Sequence, residues 1–209
     1  MILNYYGLSF FRLQGNQSDV SVVFDPFDQN SGWRLPKPSA DLVLSSDPTA
    51  KPSSMSVKAR EGDAPFFITS PGEYEVKRVF VYGVQAKKCI LYVAGIDELY
   101  IAHLGTLNRT LTEQELDALG RIDVLLLPVG GGSVLDPKTA VEVVGQIEPR
   151  IVVPMMYALA GIKTDLRPVE DFLKEYGTVD ASREDKLKVQ KKDLPAEETK
   201  VVVLLPFRT

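Results

Sequence analysis

The sequence predicts an α+β protein in which two sheets lie between helical layers, an αββα four-layer sandwich. Three observations point there. The first half is dense in short apolar runs bounded by turn residues. The second half alternates such runs with segments of helical period. At 209 residues and 44% hydrophobic content, the chain has enough apolar material for a substantial core. One domain over residues 1–209 is the expectation.

The strands expected in the first half are Leu8 to Leu13, Val20 to Phe24, Leu42 to Leu44, Phe66 to Ile68, Val79 to Tyr82, Ile90 to Val93 and Leu99 to Ala102. Their length and their β-branched and aromatic content favour strand over helix. A turn at Ala94-Gly95-Ile96-Asp97 is expected to join neighbours as an antiparallel hairpin. Pro71-Gly72-Glu73-Tyr74-Glu75 reads as a turn entering a strand, with Gly72 suited to positive φ.

Helical signals begin at Leu111 to Leu116, where Thr112 offers a cap ahead of acidic first-turn residues. A buried strand is expected at Val124 to Leu127. Pro137 to Ile147 sets Ala140, Val143, Val144 and Ile147 on one face, with Asp136 as cap and Pro149 marking the end. A strand at Ile151 to Val153, a helix at Val169 to Tyr176, an edge strand at Leu187 to Val189 and a buried strand at Val201 to Leu205 complete the set. Asp28 to Ser39 and Asp47 to Ala64 are rich in breakers and are expected as loops, where sites often lie.

Twenty-four basic against 28 acidic residues give a net charge of −4, which excludes a general electrostatic drive toward nucleic acid or anionic membrane. Lys186-Leu187-Lys188-Val189-Gln190-Lys191-Lys192 is a local exception. Without stacking aromatics it fits a lysine-guarded edge strand better than an RNA contact. Cys89 is the only cysteine, so no internal disulfide forms, and its apolar flanks suit a buried strand residue rather than a nucleophile. Met1 to Gly7 lacks the marks of a signal peptide, and no stretch reaches the ~20 apolar residues of a membrane span, which makes a cytoplasmic location the expectation.

Six segments occur in an order and spacing that carry a family resemblance. They are Val23-Phe24-Asp25-Pro26-Phe27, Ala40-Asp41-Leu42-Val43-Leu44-Ser45-Ser46-Asp47, Ser70-Pro71-Gly72-Glu73-Tyr74-Glu75-Val76, His103-Leu104-Gly105-Thr106-Leu107, Ile122 to Gly131 and Pro149 to Tyr157. Through them the chain resembles the ascorbate-6-phosphate-lactonase-like branch of the metallo-β-lactamase-fold proteins. That resemblance implies the αββα fold and, in the family, a metal site used for hydrolysis.

The family's His-x-His-x-Asp-His motif follows the Ala-Asp-Leu-Val-Leu strand. An ungapped match places Ser46, Pro48, Ala50 and Lys51 at its ligand positions. The family's bridging aspartate is matched by Thr106 and its late histidine by Met156, a soft thioether. Gln85 to Lys87, where a further histidine is expected, holds none. The whole chain has one histidine, His103.

The resemblance therefore implies a fold kept while its ligand set was replaced, and the expectation is no metal and no cofactor. Three functions follow. The first is a non-catalytic binding or regulatory pseudoenzyme working with a protein partner or a second copy. The second is a metal-independent hydrolase or lyase using a residual pocket of His103 with Lys51 or Glu73. The third is an RNA-binding relative. Gly130-Gly131-Gly132-Ser133 lacks the Gly-Lys-Ser/Thr ending of a nucleotide loop and suits close backbone packing. Asp25, Asp47 and Asp123 are the acids left near strand ends for a single hard cation.

Overall fold

A computed structural model describes residues 1–27, 37–51, 57–179 and 181–207. The chain starts with an antiparallel meander of β1 (Ile2–Gly7), β2 (Phe10–Gln14) and β3 (Ser21–Phe24). A short β4 (Ser39–Ala40) precedes β5 (Leu42–Leu44), and β6 (Lys58–Ala59) precedes β7 (Phe66–Ile68). β5 runs parallel to β3 and β7 parallel to β5, while β4 and β6 pair as a small separate sheet.

A second meander follows in β8 (Gly72–Val76), β9 (Val79–Ala86), β10 (Cys89–Ile96) and β11 (Leu99–His103). Then α1 (Glu113–Leu119), β12 (Val124–Pro128), α2 (Pro137–Ile147), β13 (Ile151–Met155) and α3 (Val169–Tyr176) alternate. β14 (Ser182–Glu184), β15 (Leu187–Lys188) and β16 (Lys200–Leu204) end the order. The first sheet reads β15-β1-β2-β3-β5-β7 and the second β14-β16-β13-β12-β11-β10-β9-β8.

The residue pattern explains these roles. β12 and β13 are buried at every position, as parallel strands covered on both faces must be. In β9 every second side chain points inward, and Phe80 on the outer face is 59% exposed. One apolar core joins the sheets, with Phe24, Leu42 and Ile68 from the first meeting Tyr92, Ile101 and Leu125 from the second.

The helices follow their local signals closely. In α1 the Thr112 hydroxyl accepts from the Glu115 N–H at 3.2 Å and the Glu115 carboxylate accepts from the Thr112 N–H at 2.9 Å, a complete capping box. α2 spans the expected residues with Asp136 as its cap, but it ends through Glu148, held left-handed at φ 50°, before Pro149 is reached. α3 also matches, closed by Gly177 at φ 83°.

The mixed α/β architecture with two sheets agrees with expectation, whereas the helical layers are unequal. All three described α-helices follow β11. Among the described residues, the outer face of the first sheet is packed by Tyr6, Phe10, Val23, Ala40 and Val43 with Phe27 and Phe67. Tyr6 stacks on Phe10 at 4.7 Å and on Phe207 at 5.5 Å.

Other differences have local causes. β1 was not expected from the sequence and is held as a strand by β2 and β15, which pair with it from both sides. The turn expected at Ala94 to Asp97 lies two residues later. Ile96 still pairs with Leu99, which leaves Asp97 and Glu98, at φ 51° and 64°, as a two-residue turn. Asp97 is fixed there because its carboxylate accepts the N–H groups of Asn16 at 2.6 Å and Ser18 at 3.2 Å. The expected Asp28 to Ser39 loop lies largely outside the described residues. That at Asp47 to Ala64 lies partly outside them and contains β6. No helix among the described residues is long and apolar enough to cross a membrane.

Asp41 ties three segments together. Its carboxylate accepts from the Ser21 N–H at 2.9 Å, from Arg60 at 3.1 Å and from Lys77 at 2.6 Å. Burial pushes this carboxyl up, but the bonds from Lys77 and Ser21 and the charges of Lys77 and Arg60 outweigh burial, so its pKa is lowered. The resulting stabilisation is fully present above the unfolded carboxylate pKa, about 3.9, and is lost as pH falls through the lower folded value. The thermal midpoint is therefore expected to drop below about pH 4, and Asp41→Asn to melt lower at neutral pH with a shallower acid dependence. An unchanged acid slope in that variant refutes the assignment.

Candidate functional site

In parallel sheets, sites gather beyond the carboxyl ends of strands. Here Asp25 follows β3, Ser46 follows β5, His103 ends β11 with Thr106 just after, Gly130 follows β12 and Met156 follows β13. Topology thus delivers the residues of the family motifs to one end of the sandwich.

Asp25 holds the centre with a left-handed backbone, φ 46°. One carboxylate oxygen accepts from the Ser46 N–H at 2.6 Å and the other from the Ser46 hydroxyl at 2.6 Å. The Ser46 carbonyl in turn accepts from the Ile90 N–H at 2.8 Å, which links the end of β5 to β10 in the opposite sheet. Gly105 closes over this joint at φ 52°. A Cβ there would lie 2.5 Å from the Ser46 Cβ, so no side chain is tolerated.

His103 is fully buried. Its ring stacks on Phe24 at 5.1 Å and 7° and meets the edge of Phe11. Nδ1 accepts from the Gly105 N–H at 3.2 Å, which leaves Nε2 to carry the proton and donate to the Ser9 carbonyl at 2.9 Å. The Asp25 carboxylate is 3.8 Å from Nε2. Both ring nitrogens are occupied by backbone groups, and neither faces a pocket as a free base. His103 thus has the geometry of a structural histidine pinning β11 to the β1–β2 turn.

The other residual-pocket candidates lie elsewhere. Glu73 is exposed on the edge strand β8, beside a shallow depression with Phe80, Tyr82 and Tyr100 on the outer face of the second sheet. Lys51 is exposed in the segment after β5. The expected convergence of Glu73 with His103 is corrected: alternation along β8 turns Glu73 outward, three strands from β11. Ser46 is buried, Pro48 exposed and Ala50 half-buried, while Met156 is half-buried with φ 52°.

The three acids do not converge either. Asp25 is committed to Ser46. Asp47 turns back on Thr49, accepting from its N–H at 2.8 Å and its hydroxyl at 2.7 Å. Asp123 precedes β12 at the opposite end of the sheet, where it accepts from the Tyr100 N–H and from Lys191, both at 2.9 Å. Lys191 of the basic run is thereby a structural partner of a buried carboxylate, a role its sequence context did not reveal.

A cavity of about 340 Å³ opens beside this joint. Lys87, Lys88 and Cys89 border it from the β9–β10 turn, Thr106, Asn108 and Arg109 from the segment after β11, and Ser133 from the glycine loop. Sequence reasoning singled out Thr106 and Lys87 only as substituted positions and missed Lys88, Asn108 and Arg109. The signal available was their shared position after neighbouring strand ends. Arg109 is held by a bidentate pair to Glu115, at 2.8 and 2.7 Å, and that pairing holds the Glu115 carboxyl below its ordinary range.

Cys89 is buried and burial pushes its thiol pKa up, against a weaker opposing effect from Thr106. A thiol reagent is therefore expected to label native Cys89 at least tenfold more slowly than the denatured chain. Comparable rates would show the side chain is open to solvent. The glycine loop packs backbone to backbone: a Cβ on Gly130 would lie 2.1 Å from the Met156 carbonyl oxygen, and Gly131 and Gly132 have φ of 72° and 64°.

At the positions that the resemblance matches to the family's ligands, Ser46 and Thr106 carry hydroxyls, Lys51 an ammonium and Met156 a thioether, while Pro48 and Ala50 carry no side-chain donor. The described residues contain no group of three or more His, Cys, Asp or Glu side chains arranged to hold an ion.

Two facing sheets, parallel strands joined by crossover helices and a pocket at the strand ends agree with the metallo-β-lactamase fold class. Residues 2–156 match the model of the β-lactamase superfamily domain, and the chain belongs to that superfamily. A Thermotoga maritima protein assigned to the zinc-dependent hydrolases of the metallo-β-lactamase superfamily is 32% identical, with a TM-score of 0.83 and 98% of each chain covered.

Among curated relatives, a UPF0173 metal-dependent hydrolase of Anaeromyxobacter is 39% identical over 83 residues, 37% of this chain and 30% of the relative. A UPF0173 protein of Pyrococcus furiosus is 41% identical over 75 residues, 36% of this chain and 33% of the relative. The matches thus span about a third of those relatives' length. The Ignicoccus hospitalis metallo hydrolase Igni18, 18% identical with a TM-score of 0.60 over 84% of this chain and 90% of its own, shares the fold. These relatives overturn the expectation that metal plays no part. Proteins this similar are described as metal- or zinc-dependent, so metal enters every assay as a variable.

Proposed function

We propose that this chain is a non-catalytic, ligand-binding member of the superfamily. What carries the proposal is that the resemblance places Ser46, Pro48, Ala50, Lys51, Thr106 and Met156 at the family's ligand positions. The bridging carboxylate and the imidazoles that would activate water are replaced by groups unable to do so. Support also comes from His103, whose two nitrogens are engaged by Gly105 and Ser9, which leaves no histidine for general acid–base work.

The test is hydrolysis measured on protein expressed with zinc, manganese or iron supplied, using an activated phosphodiester and a lactone, with the Thermotoga relative assayed beside it. The expected result is no turnover above the buffer blank in any metal condition. Turnover at the relative's level, with metal content measured on the same sample, overturns the proposal.

A further inference from the structure

We propose that the cavity between the β9–β10 turn and the segment after β11 is an anion site that takes the phosphate or carboxylate group of a small ligand. The inference rests on the ligand-binding function above and names the chemistry of its ligand. The lining carries three cations, Lys87, Lys88 and Arg109, and among the described residues no carboxylate. In a chain of net charge −4, such a concentration of positive charge is a local feature rather than the consequence of a basic surface.

The neutral lining suits the same ligand. Thr106 and Ser133 are exposed hydroxyls and Asn108 an exposed amide, all able to donate to anionic oxygens. Arg109 does not wander, because Glu115 grips its guanidinium through two bonds. The pairing spends part of its charge, and the two lysines supply the rest. Ala86 pairs with Cys89, so Lys87 and Lys88 form a two-residue turn, and Lys87 sits in it at φ 52°. This turn puts two consecutive lysines on the lining of one cavity. Lysines act as point charges, so phosphate and carboxylate both satisfy the site.

The experiment is calorimetric titration of the full chain with inorganic phosphate at constant low ionic strength, chloride serving as the matched salt. Acetate is titrated in parallel to separate the two anion types. Saturable one-site binding of either anion is expected. It should weaken at least tenfold in Lys87→Gln/Lys88→Gln, further in Lys87→Glu/Lys88→Glu, and stay unchanged in Lys186→Gln/Lys188→Gln. Both turn lysines are exposed, so the variants should melt with the parent.

Absence of saturable binding, or binding that the turn variants leave intact, overturns the site. Phosphodiester turnover is measured on the same samples. Turnover together with lysine-dependent phosphate binding supports the anion site while refuting the non-catalytic function. No turnover together with no anion binding refutes the site alone.

Discussion

Gly130→Ala is expected to destabilise the fold by about 3 kcal/mol or more, the scale of severe overpacking. The added Cβ would lie 2.1 Å from the Met156 carbonyl oxygen and 3.0 Å from the Leu166 Cβ. Neither side retreats easily. The Val129 N–H donates to the Met155 carbonyl at 3.0 Å, the Arg167 N–H donates to the Gly130 carbonyl at 2.7 Å, and the Met156 N–H donates to Leu8 at 3.0 Å. The contact is therefore backbone against backbone, fixed from three directions. Gly132→Ala, whose Cβ would lie 3.7 Å from the Asp165 carbonyl oxygen, should cost only about 1 kcal/mol for its left-handed backbone. Gly145→Ala, inside α2 with nothing within 4 Å, should stabilise by about 0.5–1 kcal/mol. Denaturant midpoints of the three variants give the ranking, and a Gly130→Ala midpoint equal to the parent's refutes the packing argument.

Asp25→Ala is expected to cost about 3 kcal/mol, since two short charge-assisted hydrogen bonds vanish and the buried Ser46 N–H loses its acceptor. Ser46→Ala removes only one of those bonds and should cost about 1–2 kcal/mol. Because the residues share a bond, the double variant should cost less than the two single costs together. Additive costs would mean that Asp25 and Ser46 act separately. The consequence reaches beyond stability, for Ser46 also joins β5 to β10 through Ile90, and a loosened joint should alter the neighbouring cavity. Weaker phosphate binding by Ser46→Ala at a temperature where it remains folded would register that coupling.

The sequence by itself determined the elements with strong local grammar. A cap at Thr112 and the acidic residues after it announced α1, Asp136 and the Ala140-Val143-Val144-Ile147 face announced α2, and continuous apolar runs announced β12 and β13. In each, the chemistry that fixes the structure lies within a few residues. Ordered motifs also made the superfamily legible. Tertiary structure decided what depends on distant partners: that Ile2 to Gly7 becomes a strand, that Glu73 points away from His103, and that Asp123 is matched by Lys191. It also occupied both nitrogens of His103 with Ser9 and Gly105 and gathered Lys88, Asn108 and Arg109 around one cavity. Spacing along a chain reports the periodicity of one element, whereas the partners of a side chain are set by how separate elements pack.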